Sequence, residues 1–214
     1  WSMPLLTFFI SSSLLSKYRK QKNFNIENYF EKTGIRDHYQ VLANGGIGGL
    51  LVVLNLFFNN ELFYLMFVSF LSVACADTWG TEIGTIRKRK TFDILTFKKV
   101  NQGISGGISV VGLIGSLLGS FTISLSSIYW INKTNFFLII IVGFIGSLID
   151  SILGKLIQAQ YKCLNCGITT EKKFHCQQST EQVSGISWIN NDWVNFFSGL
   201  SGSLLFLLIF NFLR

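Results

Sequence analysis

Charge is what this chain lacks. Only 14% of its 214 residues are Asp, Glu, Lys or Arg, against about 25% in soluble domains, which excludes an ordinary soluble globular protein. Acidic residues are scarcer still, 11 against 18 basic ones. Proline occurs once, at Pro4, so no apolar stretch beyond the first carries a proline break. No Walker pattern, GxxxxGK followed by Ser or Thr, is present, which excludes the standard P-loop phosphate site. No internal repeat is evident, which weighs against the inverted-repeat transporters. What the chain has instead is apolar mass: 49% hydrophobic residues, 21 of them Phe, and a mean hydropathy of +0.44. This predicts an all-α, polytopic membrane helical bundle forming a single domain over residues 1–214.

Six apolar segments are expected, at about 3–16, 41–58, 62–84, 104–130, 136–158 and 193–213. The first is short for a span, and because further spans follow it is not read as a cleaved signal. The second and third are separated only by Asn59, Asn60 and Glu61, a tight helical hairpin. The fourth reads as long and broken, with Gly103, Gly106, Gly107, Gly112, Gly115 and Gly119 crowding its first half. Gly115 and Gly119 form a GxxxG match, which points to close helix packing or to backbone approach to phosphate. Three connections hold the cations. Lys17, Arg19, Lys20, Lys22, Lys32 and Arg36 lie in the first, Arg87 to Lys90, Lys98 and Lys99 in the second, and Lys155, Lys162, Lys172 and Lys173 in the third. Only Lys133 and Arg214 fall on the other side. The positive-inside rule makes the three basic loops cytoplasmic, or stromal in a plastid. The surplus of positive charge is thereby a topology signal and not a sign of a nucleic-acid partner.

Polar residues gather on that same inner side. Asp77, Thr78, Thr81 and Glu82 end the third segment, a costly intrusion into an apolar run that usually carries function. Asp150 and Ser151 stand near the inner end of the fifth, with Gln158 two turns on. Asn190, Asn191, Asp192 and Asn195 open the sixth, where Asp192 is also suited to capping the helix. Three carboxylate-bearing spans meeting beside clustered lysines suit Mg²⁺ and phosphate, because Mg²⁺ takes hard oxygen ligands and shares them with substrate. The glycines after Lys99, among them Gly106 and Gly107, are candidates for an amide cradle around phosphate. Separately, Cys163 and Cys166 form a CxxC followed by His175 and Cys176, within a loop of residues 159–192. Structural Zn²⁺, a redox dithiol and unbound thiols are the alternatives there. Cys75 sits alone in an apolar run and reads as packing.

Several stretches resemble the integral membrane family that includes plant phytyl-phosphate kinase of tocopherol synthesis and its cyanobacterial relatives. They are RDHYQVLANGG from Arg36, ADTWGTEIG from Ala76, LTFKKVNQGISGGISVVGLIGSLLG from Leu95, GSLIDSILGKLIQ from Gly146 and GISWINNDWVN from Gly185. Asn101 departs from the family's Pro or Arg, and the Cys/His insertion resembles the cyanobacterial form. The resemblance implies a CTP-dependent kinase of a cyanobacterial or plastid membrane. It would convert a prenyl (phytyl) monophosphate into the diphosphate for tocopherol and other prenyl lipids. Asp77, Glu82, Asp150 and Asp192 are then the expected catalytic acids, with Mg²⁺ as cofactor. Thr78, Thr81, Gly106, Gly107, Ser109, Ser151, Asn191 and Asn195 are expected around nucleotide and substrate, and Lys99 as the phosphate-neutralising cation. Arg36, Gln40 and Asn44 are expected at the lipid-phosphate entry. The rival readings are a lipid-phosphate nucleotidyltransferase, a prenol kinase, an ion- or proton-coupled transporter and a non-catalytic assembly factor.

Overall fold

A computed structural model describes residues 1–31 and 38–213. It contains six α-helices: α1 Ser2–Lys22, α2 His38–Phe58, α3 Glu61–Thr85, α4 Val110–Ser126, α5 Lys133–Leu156 and α6 Asn191–Leu213. Four of them, α2, α3, α5 and α6, are long and apolar enough to cross a membrane. The chain reverses at each connection, so α1–α2, α3–α4 and α5–α6 are joined at one end of the bundle. Short strands fill the second and third of those joins. β1 Thr91–Asp93, β2 Lys99–Val100 and β3 Gly107–Ile108 form an antiparallel sheet in the order β2-β1-β3. Between α5 and α6, β4 Gln160–Lys162 lies between β5 Thr169–Thr170 and β8 Glu181–Ser184, while β6 Phe174–His175 and β7 Gln178–Ser179 form a hairpin. A 3-10 turn, Phe24–Asn28, follows α1.

Side-chain caps set the helix starts. Asn60 Oδ1 accepts from the Leu62 amide at 2.9 Å, Ser109 Oγ from the Gly112 amide at 3.1 Å, and Asn132 Oδ1 from the Asn135 amide at 2.8 Å. The Ser109 cap corrects the expected fourth segment. The stretch from residue 103 to Ser109 is not helical; Gly103 and Gly106 both have positive φ there. The helix proper has 17 residues, about 25 Å at 1.5 Å per residue, short of a full span.

Helix α3 is the axis of the bundle. Val68, Phe70, Leu71, Cys75 and Ala76 are wholly buried, joined in the core by Ile123, Ile139, Val142 and Phe206. A helix apolar all round finds burial on every side. Large side chains on α2 and α6 point outward instead, Leu56, Phe57, Phe58 and Phe212 among them, as lipid contact allows.

Hydrocarbon offers no hydrophobic drive between helices, so close approach and interhelical hydrogen bonds hold this core. Along the α3–α4 seam, a Cβ on Gly115 would lie 2.7 Å from the Trp79 carbonyl oxygen, and one on Gly119 2.7 Å from that of Cys75. The GxxxG pair is therefore a packing seam, not a phosphate cradle. Hydroxyls link the other helices: Ser72 Oγ donates to the Ile139 carbonyl at 3.2 Å, Ser124 Oγ to Phe136 at 2.8 Å and Ser203 Oγ to Met66 at 3.1 Å. Gly115→Val should lower stability by about 1–3 kcal/mol through overpacking, read as a drop in thermal midpoint in detergent. Gly49→Ala, where a Cβ meets nothing within 4 Å, should leave that midpoint unchanged or raise it.

Candidate functional site

At one end of the bundle, all six helices border a cavity of about 1060 Å³. Among the described residues, six acids line it, Glu31, Asp77, Glu82, Asp150, Glu171 and Asp192, against three cations, Lys17, Arg19 and Lys20. The expected residues Thr78, Thr81, Gly106, Gly107, Ser109, Ser151, Gln40, Asn44, Asn191 and Asn195 line it too. Arg36 lies outside the described residues.

Two carboxylates meet at the centre. Asp77 on α3 and Asp150 on α5 both line the cavity, close enough for their charges to act on one another, and Ser198 Oγ on α6 donates to Asp150 Oδ2 at 2.8 Å. Carboxylates this close repel unless a cation or a proton lies between them. Asp192, on the first turn of α6, is buried and faces the same space. It does not cap its helix. Asn190 does, its Oδ1 accepting from the Asp192 amide at 3.1 Å and more loosely from that of Trp193, because the residue before the first turn is the one whose side chain reaches those amides.

Glu82 has a different job from Asp77. Its Oε2 accepts from Arg19 Nε at 2.7 Å and its Oε1 from Ser16 Oγ at 2.5 Å. Arg19 also pairs through its guanidinium with Glu27, and all three side chains are buried. The pairing ties α1 and its 3-10 turn to the end of α3. Nearby, Asn23 Nδ2 donates to the Thr85 carbonyl at 2.8 Å and Gln102 Nε2 to that of Gly84 at 2.7 Å, so the last carbonyls of α3 are satisfied without water.

Lys99 does not line the cavity. It lies on β2, an edge strand of the small sheet, and is exposed. Among the described residues, the lysines beside the acids are Lys17 and Lys20 of α1. In the sequence they count only toward topology, and their local pattern carries no mark of a site. The glycine stretch does reach the wall, held by β1. Asp93 Oδ1 accepts from the Leu95 and Thr96 amides at 3.0 and 2.9 Å, and its Oδ2 pairs with Lys155 Nζ at 2.8 Å. Gly106 packs flat on α5, where a Cβ would lie 2.5 Å from the Lys155 Cβ. Ser109 spends its hydroxyl on the α4 cap.

Glu171, beyond β5, is a lining residue with no signal in the sequence. Burial pushes its carboxyl up to about 7, against the Glu31 amide and Gln158, which favour the ionised form. Gln158 is itself buried and accepts from Ser105 Oγ at 2.7 Å. Cys163, Cys166, His175 and Cys176 lie outside the cavity, but the fold brings them together.

Arg19→Ala would leave Glu82 and Glu27 buried without their cation, a loss of about 3–5 kcal/mol. It should be seen as a lowered thermal midpoint, partly restored by adding Glu82→Gln. Asp93 sets a pH dependence. The Lys155 ammonium, with the two amides, holds its carboxyl down at about 2, below the roughly 3.9 of an unfolded chain. A lowered folded value stabilises above the unfolded one and is lost as pH falls from about 4 through about 2. The thermal midpoints of wild type and Asp93→Asn should therefore differ at pH 6 and converge as pH falls through that window.

Comparison with known proteins agrees with this architecture. Protein PGR of Arabidopsis thaliana is 30% identical over 94% of this chain and 78% of its own length. An uncharacterized membrane protein of Methanocaldococcus jannaschii is 33% identical over 72% of this chain and 63% of its own. Protein VTE6, chloroplastic, of Arabidopsis thaliana is 27% identical over 72% of this chain and 40% of its own. No solved structure matches. The model of the family described as integral membrane protein DUF92 matches residues 1–203, and the chain belongs to that family as a multi-pass integral membrane protein.

Proposed function

We propose that the chain transfers a phosphoryl group from a nucleoside triphosphate, preferably CTP, to a prenyl monophosphate such as phytyl phosphate, feeding tocopherol and other prenyl-lipid synthesis. The observation that carries this reading is the approach of Asp77 to Asp150 in a cavity where, among the described residues, acids outnumber cations. Such a wall suits a divalent cation with phosphates, and the oxygen donors of Asp77, Asp150 and Asp192 fit Mg²⁺. Bound there, Mg²⁺ would neutralise phosphate oxygens during transfer. Lys17 and Lys20 supply further positive charge on the α1 side. The cavity volume is at the upper end for small-molecule sites, which suits two substrates together.

The access routes fit the two substrates. Basic connections at the cavity end suit entry of nucleotide from the cytoplasm or stroma. Helix α1 packs on α3 and α4, and α2 on α3 and α6, while α1 and α2 do not pack closely on each other. Phe9 of α1 and Val41 of α2 line the cavity and are exposed, which suits entry of a prenyl tail from the bilayer between them. The resemblance to the phytyl-phosphate kinase family supports the acceptor. An oxygen of the prenyl phosphate attacks the γ-phosphorus, and the bond from that phosphorus to the β–γ bridging oxygen breaks, releasing the nucleoside diphosphate. The acceptor is already ionised, so the protein's part is positioning and charge neutralisation rather than base catalysis.

Purified protein with Mg²⁺, CTP and phytyl phosphate should yield phytyl diphosphate and CDP. Asp77→Asn and Asp150→Asn should each lower turnover by about 10²-fold or more, while Lys99→Ala should leave it near wild type. Formation of a CDP-lipid with release of pyrophosphate, or ion flux in liposomes without nucleotide, would overturn the kinase reading.

A further inference from the structure

The loop between α5 and α6 contains a second polar cluster, apart from the cavity. We infer that Cys163, Cys166, His175 and Cys176 form a four-coordinate structural zinc site that staples this loop into a folded module. Two hairpins supply the ligands. Cys163 and Cys166 lie in the β4–β5 turn, and His175 and Cys176 at the β6–β7 turn. Their ligand atoms all lie within 4.8 Å of one another. Cys166 Sγ is 3.5 Å and Cys176 Sγ 3.2 Å from His175 Nδ1. A tetrahedral ion with bonds of about 2.3 Å to sulfur and 2.0–2.1 Å to nitrogen spaces its ligands roughly 3.5–3.8 Å apart, so the four atoms stand close to coordination distance.

The backbone is shaped for the same purpose. The Gly167 amide donates to the Cys163 carbonyl at 2.8 Å, and the Cys163 amide to the Ile168 carbonyl at 3.0 Å. Gly167 takes a φ of +71°. This is a tight knuckle closed on Cys163. At the other hairpin, Cys176 and Gln177 both take positive φ, 51° and 61°, a conformation that is unfavourable for non-glycine residues without a compensating constraint. It turns the Cys176 sulfur back over the His175 ring, which is how adjacent residues reach one ion. Three cysteines cannot all pair as disulfides, and the fourth, Cys75, is buried in the bundle core.

The module needs such a staple. Strands β5, β6 and β7 have two residues each, too short to hold a sheet unaided, and metal binding in such small modules is folding free energy. The module in turn grips the segment after α1. Thr170 Oγ1 donates to the Asn28 carbonyl at 2.7 Å, and the Glu171 amide to that of Tyr29 at 2.9 Å.

Protein produced with zinc in the medium and kept under reductant should hold about one zinc per chain. X-ray absorption should give three sulfurs and one nitrogen. Cys166→Ser should lose the metal to a chelator that wild type withstands, with helical content unchanged. Chelation of wild type should speed tryptic cleavage after Lys172 and Lys173. Should Cys166→Ser not fold, metal-stripped wild type titrated with Co²⁺ decides: a tetrahedral thiolate spectrum supports the site. Wild type without zinc, no such spectrum with Co²⁺, or a Cys163–Cys166 disulfide under reductant would overturn it. Cleavage unaffected by chelation would overturn the stapling role.

Discussion

The ion pair of Arg19 with Glu82 decides what the cavity end of this bundle can do. Glu82 sits buried near the end of the central helix, where an unpaired carboxylate is costly. Arg19 reaches it from α1 and holds Glu27 with its other face. One buried guanidinium thereby neutralises two acids, fastens α1 to α3, and fixes the turn that follows α1. It also divides the acids of α3 by role. Glu82 is committed to structure, while Asp77, a little over one turn earlier, meets Asp150 instead.

That division depends on how closely the helices approach. The glycine seam brings α4 against α3 with backbone nearly touching backbone, and Gly106 lets the loop before α4 lie directly on α5. With larger residues at these places, α3 and α5 could not both face the cavity with α4 beside them. The polar ends would then separate and take up water one by one. Small residues deep in the bundle and charged residues at its end are two parts of one arrangement: tight packing brings the helix ends together, and burial makes each carboxylate's partner decisive.

Much of this was legible in the sequence. Apolar runs marked the helices, and sixteen cations on one side marked the end where the site lies. Asp77, Asp150 and Asp192 could be placed at that end by counting along each run, since a helix converts residue number into depth at a steady rise. The GxxxG match left packing and phosphate contact open, and only the neighbouring Trp79 and Cys75 carbonyls chose packing. The CxxC and the His-Cys pair were visible as soft ligands, but whether they could reach one ion depended on two left-handed residues in a turn.

Sequence alone therefore determined the membrane class, the helix order and the end of the bundle that collects acids, because burial in lipid imposes composition and period on each segment separately. It could not determine partners. Lys99 and Lys17 look alike as letters, yet an edge strand holds one away from the cavity and a helix end brings the other to it. Glu82 and Asp77 share a helix, yet one is bound to Arg19 and the other faces Asp150. Glu171 enters the wall from a loop far along the chain. Which charges meet is settled by contacts between segments distant in sequence, and those contacts set what each group can do.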